Sequence, residues 1–335
     1  MKAALFKGLH KPLEVENIPE PTPGEGQVVV KVGRCGICGS DLHMTEDPAF
    51  GTPCDTVLGH EFSGEVVATG KNVSRLKVGD NVSVIPLKSC GKCPSCLAGQ
   101  PAWCSEMELQ GGGYGEYAVT SERQCIKLPD MLSLEDGALV EPLAVGLHGV
   151  VKSGLTPGDR VLVLGAGPIG LAVAFWARRM GALHVAVADL NNFQENRAYA
   201  MGATSFFSSR ENLVEEVNKT IGGPADIVFE CVGLPGLIAQ SVEHVRVQGK
   251  IVVLGLCTQP DTFVPFVALS KEVCIQTSAF FEVREYQVAL DALEADKPVP
   301  QSLITETVSL EEMPEVFEGL RKRTTQCKVM VNPRA

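Results

Sequence analysis

The sequence lacks three features that would place the protein in a membrane, on nucleic acid or outside the cell. No apolar run approaches the roughly 18–20 residues that cross a bilayer, and Leu171–Ala177 is among the longest. Basic residues number 29 against 40 acidic ones, and the net charge of −11 argues against nucleic acid and anionic membranes as partners. Lys7 interrupts the segment where a secretory signal needs an unbroken apolar stretch. We therefore expect a cytoplasmic protein.

Internal repeats and low-complexity linkers are also absent, although the chain of 335 residues is longer than one ordinary domain. Up to about residue 145, short strand patterns broken by Gly and Pro indicate a β-rich domain. Beyond this point strand and helix patterns alternate, which predicts a parallel sheet with helices on both faces. The strand patterns in that part are Arg160–Leu164, His184–Ala188, Ala225–Phe229 and Lys250–Leu254. The C-terminal segment does not continue the alternation, so the sequence predicts an α/β protein of more than one domain.

A glycine-rich turn between a predicted strand and a predicted helix indicates a dinucleotide site. Its glycines permit a tight turn, close approach of a pyrophosphate and tight helix–strand packing, and the helix N-terminus attracts the phosphates. The next strand ends at Asp189, whose carboxylate would bind the ribose hydroxyls and repel a 2′-phosphate. The pattern favours NAD over NADP, and the alternative is a glycine-rich turn beside an exposed aspartate. The motif comprises Gly165, Gly167, Pro168, Ile169 and Gly170.

Twelve cysteines in a long chain without an export signal suggest metal binding or reactive thiols rather than disulfides. Two-residue gaps let neighbouring thiolates reach one tetrahedral ion at about 2.3 Å, and four sulfurs leave no position for a substrate. We therefore predict a structural zinc, with an iron–sulfur cluster or free surface thiols as the alternatives. The four cysteines lie in a lobe at about residues 88–106 and are Cys90, Cys93, Cys96 and Cys104.

A second group of metal-binding residue types lies outside this lobe. A catalytic zinc has three protein ligands and an open position, and the ligands are typically Cys, His and carboxylate. The residue pattern alone does not bring the separate candidate segments together. The candidates are Cys38, His60, Glu61 and Glu141.

Taken together, the motifs resemble those of the zinc-containing medium-chain alcohol dehydrogenases over essentially the whole chain. Within that family they are most similar to the polyol, butanediol and threonine dehydrogenase branch. The resemblance implies a GroES-like β-rich catalytic domain of residues 1–146 and 287–335, and a Rossmann NAD-binding domain with a doubly wound parallel sheet of residues 147–286. Besides the cysteine lobe and the glycine motif, the matching motifs are Cys38-Gly-Ser40-Asp-Leu-His43, Gly59-His60-Glu61 and Glu141-Pro142-Leu143.

The resemblance also implies roles for the catalytic zinc candidates. Cys38 and His60 take the places of the first two ligands, and Glu141 takes that of the third, either directly or through water. Glu61 resembles the acid behind the metal that sometimes moves onto it. A neighbouring cysteine, Cys35, has no ligand role in the family pattern, and we expect it to be a small buried residue.

Further roles follow from the same resemblance. Ser40 resembles the hydroxyl that hydrogen-bonds the substrate oxygen, and His43 resembles the histidine that passes the proton on. An exposed loop histidine is the alternative for His43. The loops at Val232 and Gly255 are expected to line the cofactor path. Lys328 is expected to reach the pyrophosphate, or else to be an ordinary exposed strand lysine.

The implied function is an NAD-dependent alcohol dehydrogenase with two zinc ions per chain, in which zinc acts as a Lewis acid and hydride passes between a secondary alcohol and nicotinamide. The segment after the cysteine lobe lacks the Arg of polyol members, which favours a small diol or an apolar or cyclic secondary alcohol. A homotetramer is expected, and a homodimer is the alternative. The rival functions are a zinc-independent medium-chain quinone or enone reductase and a non-enzymatic role.

Overall fold

A computed structural model describes residues 1–208, 211–322 and 325–335, which form two compact units. Unit 1 comprises Met1–Glu141 and Glu282–Ala335, and unit 2 comprises Pro142–Phe281. None of the helices among the described residues has the length and apolar character that spanning a membrane requires.

The strands are β1 (Lys2–Phe6), β2 (Glu14–Asn17), β3 (Gln27–Gly36), β4 (Thr56–Val57), β5 (Glu61–Thr69), β6 (Asn81–Val84), β7 (Leu87–Lys88), β8 (Glu108–Leu109), β9 (Tyr117–Ser121), β10 (Cys125–Lys127), β11 (Arg160–Leu164), β12 (His184–Ala188), β13 (Ser205–Phe207), β14 (Ala225–Glu230), β15 (Val245–Val253), β16 (Cys274–Thr277), β17 (Ile304–Ser309) and β18 (Lys328–Asn332). The α-helices are α1 (Gly39–Glu46), α2 (Pro94–Leu97), α3 (Leu134–Ser153), α4 (Pro168–Arg179), α5 (Glu195–Ala200), α6 (Leu213–Ile221), α7 (Leu237–His244), α8 (Pro265–Lys271), α9 (Val283–Asp296), α10 (Pro298–Gln301) and α11 (Met313–Gly319). Short 3-10 helices are Pro48–Phe50, Pro101–Trp103, Glu122–Gln124 and Leu320–Lys322.

Unit 1 is built around a seven-stranded sheet whose central strand is β3. The strand order is β10-β6-β5-β3-β18-β17, and β9 also pairs with β3. Val28, Val30 and Val32 share one face of β3 and are fully buried, and Val29 on the other face is only 4% exposed, as expected for a central strand that is covered on both faces. The C-terminal strand β18 runs antiparallel to β3, which explains why the end of the chain departs from strand–helix alternation. A three-stranded sheet, β2-β1-β4, and the pair β7-β8 complete the unit.

Unit 2 contains a six-stranded sheet in which all strand pairs are parallel. The order is β13-β12-β11-β14-β15-β16. The chain reverses its direction of winding between β11 and β14, and the carboxyl ends of these two strands are where ligands bind in such sheets. The inner strands are continuous apolar runs because helices cover both faces. The predicted α/β fold class with a parallel nucleotide-binding sheet is confirmed.

Two of the helices that were not predicted carry a local signal against helix formation. Helix α3 has 20 residues and contains Pro142 in its interior, where proline usually marks a helix end. Helix α1 begins at Gly39, one residue after Cys38, although glycine is unfavourable in a helix. Both errors have the same cause, because tertiary packing overrode a local helix-breaking signal.

Candidate metal centre and dinucleotide turn

Three metal-binding side chains from two separate segments converge in unit 1. Cys38 lies immediately before α1, His60 lies immediately before β5, and Glu61 begins that strand. One ligand atom from each residue lies within 4.8 Å of the other two. Gly36 pairs with Glu61 across β3 and β5, and a Cβ there would collide with the Glu61 carboxylate. The fold therefore assembles a thiol, an imidazole and a carboxylate, a donor set that suits zinc.

The hydroxyl of Ser40 lies beside two of these ligand atoms. Its Oγ donates to Cys38 Sγ at 3.2 Å and lies 3.4 Å from His60 Nε2. The first turn of α1 places it there, since Cys38 is the N-cap residue of that helix. His43 lies one turn further along α1, half-buried, and the structure describes no side-chain hydrogen bond for it. The structure thus brings Ser40, and not His43, into the group.

A buried carboxylate that the sequence analysis missed orients His60. Asp41 Oδ1 lies 3.2 Å from His60 Nδ1, and Asp41 is only 1% exposed. Burial opposes the charged imidazole, but Asp41 and the Cys38 sulfur outweigh it and raise the pKa of His60 well above its ordinary value. The signal that could have revealed Asp41 is its position three residues after Cys38, where a first-turn carboxylate faces the N-cap.

Glu61 is held from behind by a buried lysine. Lys328 Nζ lies 2.7 and 2.6 Å from the two carboxylate oxygens of Glu61 and donates to the Ile37 carbonyl at 3.1 Å. Lys328 is 1% exposed, so the interpretation of an exposed strand lysine is wrong. Burial disfavours the ammonium, but the charge of Glu61 prevails and raises the pKa of Lys328. Contact with a pyrophosphate stays a prediction for a group that is already paired.

Glu141 lies near this group but is not one of the three residues that converge most closely. It occupies α3 next to Pro142 and is 6% exposed. Burial raises its pKa to about 7, with His60 opposing the shift and Glu61 adding to it. Two serine hydroxyls anchor the first turn of α3, because Ser63 donates to the Leu134 carbonyl and Ser83 donates to Gly137 O at 2.6 Å. Because burial disfavours the charged form of Glu141, a nearby cation would stabilise its ionised carboxylate.

The four lobe cysteines converge as the sequence predicts. One sulfur from each lies within 4.8 Å of the others, and Cys90 Sγ is 3.9 Å from Cys96 Sγ. Cys104 Sγ accepts hydrogen bonds from the backbone amides of Cys90 at 3.5 Å and Glu106 at 3.3 Å. Amide donors of this kind stabilise thiolates. All twelve cysteines of the chain, every one of them among the described residues, are free of disulfides.

In unit 2 the glycine motif forms the turn between β11 and α4. Gly165 has a φ of 98°, which favours glycine, and a Cβ on Gly170 would overlap the Gly165 carbonyl. Gly167 is the N-cap of α4, whose first residue is Pro168 and whose second is Ile169. Asp189 follows β12, and its Oδ2 accepts the amide of Ala166 at 2.7 Å. The acid predicted to bind ribose therefore lies directly against the phosphate turn.

A second acid organises the loops after β14 and β15. Glu230 is 2% exposed, and its Oε1 accepts the backbone amides of Val232 at 2.7 Å and Gly233 at 2.8 Å. Its backbone carbonyl accepts the amide of Gly255 at 2.9 Å. Val232 is 43% exposed, so its side chain is available to a ligand. The family resemblance implied Val232 and Gly255, whereas no motif pointed to Glu230, which fixes both loops.

Comparisons with known proteins identify the family to which the chain belongs. Residues 24–130 match the family described as Alcohol dehydrogenase GroES-like domain, and residues 168–295 match the family described as Zinc-binding dehydrogenase. A sorbitol dehydrogenase of Bacillus subtilis (strain 168) is 32% identical over an alignment that covers 99% of this chain and 97% of the relative.

Two solved structures share the fold across its whole length. The crystal structure of 2R,3R-butanediol dehydrogenase from Bacillus subtilis has 31% identity and a TM-score of 0.88, with 99% of each chain covered. An alcohol dehydrogenase from Escherichia coli CFT073, solved with NADH, has 28% identity and a TM-score of 0.89, again with 99% of each chain covered. The chain therefore belongs to the zinc-containing medium-chain alcohol dehydrogenase family, in its polyol and butanediol dehydrogenase branch.

Proposed function

We propose that the protein is a zinc-dependent dehydrogenase that transfers a hydride between a secondary alcohol and NAD, giving the ketone. The observation that carries this function is the convergence of Cys38, His60 and Glu61, with the Ser40 hydroxyl beside the first two. A zinc ion held there supplies Lewis-acid chemistry, because it lowers the pKa of an alcohol. A zinc-independent quinone or enone reductase is disfavoured, since the family matched is described as zinc-binding.

Each residue of the metal centre has a distinct proposed role. Cys38 and His60 bind zinc, and Glu141 completes the shell directly or through water. Glu61 remains paired with Lys328 behind the metal. It is the carboxylate that can replace Glu141 as a zinc ligand. This division follows from burial and pairing. Both oxygens of Glu61 already contact the Lys328 ammonium, whereas the buried Glu141 has no ion-pair partner among the described residues.

Ser40 is the proposed hydrogen-bond partner of the substrate oxygen. Its Oγ lies within 3.4 Å of both the Cys38 sulfur and the His60 Nε2 atom. A hydroxyl can accept a proton from the alcohol and donate its own in the same step, so Ser40 can begin the release of the proton. His43 is the proposed next member of the relay, and its half-buried position on α1 is compatible with that role.

The second zinc is proposed to be structural. Four thiolates at an S–Zn distance of about 2.3 Å lie about 3.8 Å from one another, and the Cys90–Cys96 separation of 3.9 Å is close to this value. With four sulfurs around the ion, no position remains for a substrate. We therefore expect two zinc ions per chain, one exchangeable and one tightly held.

The proposed cofactor is NAD rather than NADP. Gly165, Gly167 and Gly170 shape the turn that would hold the pyrophosphate at the start of α4. Asp189 lies beside this turn, and its negative charge would repel a 2′-phosphate. We assign unit 2 as the cofactor domain and unit 1 as the catalytic domain.

The proposed substrate is a small diol or an apolar or cyclic secondary alcohol. The relatives are named for sorbitol and for butanediol, both of which carry secondary hydroxyls. The segment of this chain after the cysteine lobe lacks an Arg that could hold a long polyol. The butanediol type therefore fits this chain better than the sorbitol type.

We further propose self-association into a tetramer, with a dimer as the alternative, and a cytoplasmic location. β16 is the last strand of its sheet, and α8 presents large apolar side chains to solvent. Phe266 and Leu269 are each 72% exposed. An exposed apolar surface of this kind favours contact with another protein. We propose that α8 contacts a second copy of this chain. Light scattering on a sizing column distinguishes monomer, dimer and tetramer.

The experiment that tests the function combines metal analysis with an assay of NAD⁺ reduction across secondary alcohols and diols. We expect two zinc ions per chain and loss of turnover when the more labile ion is removed with a chelator. Readdition of zinc should restore turnover. One zinc per chain with activity that survives chelation would show that the Cys38–His60 centre is misassigned, and the zinc-independent reductase would then be the better interpretation.

A further inference from the structure

Behind the metal centre, three buried side chains form a continuous hydrogen-bonded line. The hydroxyl of Tyr114 donates to Asp41 Oδ2 at 2.6 Å, and Asp41 Oδ1 lies 3.2 Å from His60 Nδ1. Tyr114 is 0% exposed, Asp41 is 1% exposed and His60 is 5% exposed. The line ends at the imidazole whose other nitrogen, Nε2, faces Ser40.

The direction of these hydrogen bonds follows from charge. An ionised carboxylate only accepts hydrogen bonds, and the two oxygens of Asp41 lie within hydrogen-bond distance of His60 Nδ1 and of the Tyr114 hydroxyl. His60 therefore donates from Nδ1, which leaves the Nε2 lone pair free for a metal. The backbone amide of Cys38 also donates to Asp41 Oδ2, at 3.2 Å. Asp41 thus ties the hydroxyl of Tyr114 to two of the zinc ligands.

Tyr114 is itself held rigidly. Its amide donates to the Leu58 carbonyl at 3.1 Å, and its carbonyl accepts the amide of Ala4 at 2.8 Å. The edge of its ring meets Phe317, with 6.4 Å between ring centroids and an interplanar angle of 81°. On another side the ring lies against Gly59, where any side chain would collide with it. The hydroxyl therefore has a fixed position from which to orient Asp41.

We propose that Tyr114 is a positioning residue for the catalytic metal, acting on His60 through Asp41. This inference rests on the proposed zinc-dependent function and extends it by one residue. Of the three donors on the Asp41 carboxylate, the Tyr114 hydroxyl makes the shortest contact. Without it, one carboxylate oxygen keeps only the longer bond from the Cys38 amide, and the carboxylate can rotate away from His60. A phenylalanine would fill the same space without fixing the acid.

The test compares the zinc affinity of four holoenzymes by competition with a chelator. They are the wild type, Tyr114→Phe, Asp41→Asn and the double variant. Loss of an outer partner of a histidine ligand costs about 10–100-fold in metal affinity, so we expect Tyr114→Phe to weaken the labile zinc by about that factor. The double variant should bind zinc no more weakly than Asp41→Asn alone, because Tyr114 acts through Asp41. The cysteine-lobe zinc should be unaffected.

Ser241→Ala provides the control for loss of a buried hydroxyl. Ser241 is 0% exposed in unit 2, and its hydroxyl donates to the Leu237 carbonyl at 2.7 Å, outside both proposed zinc sites. Both variants lose a buried hydroxyl, but only Tyr114→Phe should weaken the labile zinc. With Co²⁺ in place of the labile ion, only Tyr114→Phe and Asp41→Asn should shift the visible absorption bands of the metal.

The outcomes separate this inference from the proposed function. Wild-type affinity and an unchanged Co²⁺ spectrum in Tyr114→Phe would overturn the positioning role while leaving the zinc site intact. A wild-type chain that binds only one zinc would instead overturn the proposed metal centre, and the inference with it. Should Tyr114→Phe fail to fold, proton NMR of the wild-type holoenzyme decides, since a Tyr114 hydroxyl proton that exchanges rapidly with water contradicts a fixed hydrogen bond to Asp41 and a slowly exchanging one supports it.

Discussion

Lys328 and Glu61 form a fully buried ion pair, in which the ammonium lies 2.7 and 2.6 Å from the two carboxylate oxygens. The residues lie on β18 and β5, the two strands that flank β3. The pair therefore joins the C-terminal segment of the chain to the segment that carries His60. Because the pair lies beside the proposed zinc ligands, removing either charge should change both the stability of unit 1 and the electrostatics of the metal centre.

Breaking this pair should destabilise unit 1. We expect Lys328→Met to lower the free energy of unfolding by about 3–5 kcal/mol, because it leaves an uncompensated buried carboxylate. The double variant Lys328→Met with Glu61→Gln should recover much of that loss. Urea denaturation of the metal-free proteins measures both effects. Equal destabilisation of the single and double variants would show that packing, and not charge, dominates.

Ser40→Ala should impair turnover while zinc remains bound. A positioned proton-transfer group contributes about 10²–10⁴-fold, so we expect a loss of that order in kcat. Zinc content, measured in the same samples, should stay at the wild-type value because Ser40 is not a ligand. Ser74→Ala, at an exposed serine between β5 and β6, is the control and should retain full activity. Unchanged turnover in Ser40→Ala would remove the hydroxyl from the proton relay.

Asp189→Ala should relax the preference for NAD over NADP. Removing the carboxylate eliminates repulsion of a 2′-phosphate and a hydrogen-bond acceptor for the ribose hydroxyls. We expect the ratio of kcat/KM for NAD to that for NADP to fall by at least about 10-fold, or about 1.4 kcal/mol. The Asn191→Ala variant changes a neighbouring polar side chain and is the control. It should keep the wild-type preference for NAD if Asp189, and not the loop in general, sets that preference. A ratio that stays at the wild-type value would argue against cofactor selection by Asp189.

Glu230→Ala should weaken binding of NADH. The change leaves the buried amides of Val232 and Gly233 without their acceptor, at a cost of about 1–3 kcal/mol each, so the loop loses its fixed shape. Glu230→Gln retains an acceptor oxygen and should lie between the wild type and Glu230→Ala. Titration by NADH fluorescence measures the dissociation constants. Wild-type affinity in Glu230→Ala would mean that the loop does not contribute to the cofactor site.

Cys104→Ser should remove the tightly held zinc and leave the labile one. Cys104 is 6% exposed, and its sulfur accepts hydrogen bonds from two backbone amides. A serine at this position removes one of the four proposed thiolate ligands. We expect zinc content to fall from two ions to about one per chain and the melting temperature to drop. Cys54→Ser, at an exposed cysteine outside both groups, is the control. Two retained zinc ions would refute the four-cysteine site.

The sequence by itself determined the features that depend on local spacing. The glycine motif at Gly165–Gly170 follows from the steric needs of one turn, and the four lobe cysteines lie close enough along the chain to meet without help from distant segments. Strand–helix alternation determined the parallel sheet of unit 2 in the same way. The family resemblance, now confirmed, rests on these motifs together with the Cys38 and His60 segments.

Only the tertiary structure decided which distant residues meet, because side-chain pairing across strands is set by register rather than by local spacing. The register of β3 with β5 places Gly36 opposite Glu61, and β18 brings Lys328 to the same acid. Asp41 and Tyr114 are joined by a hydrogen bond that no local pattern predicts. Burial also excluded one of the two interpretations of Lys328, since a strand lysine is expected to be exposed unless a buried partner stabilises its charge.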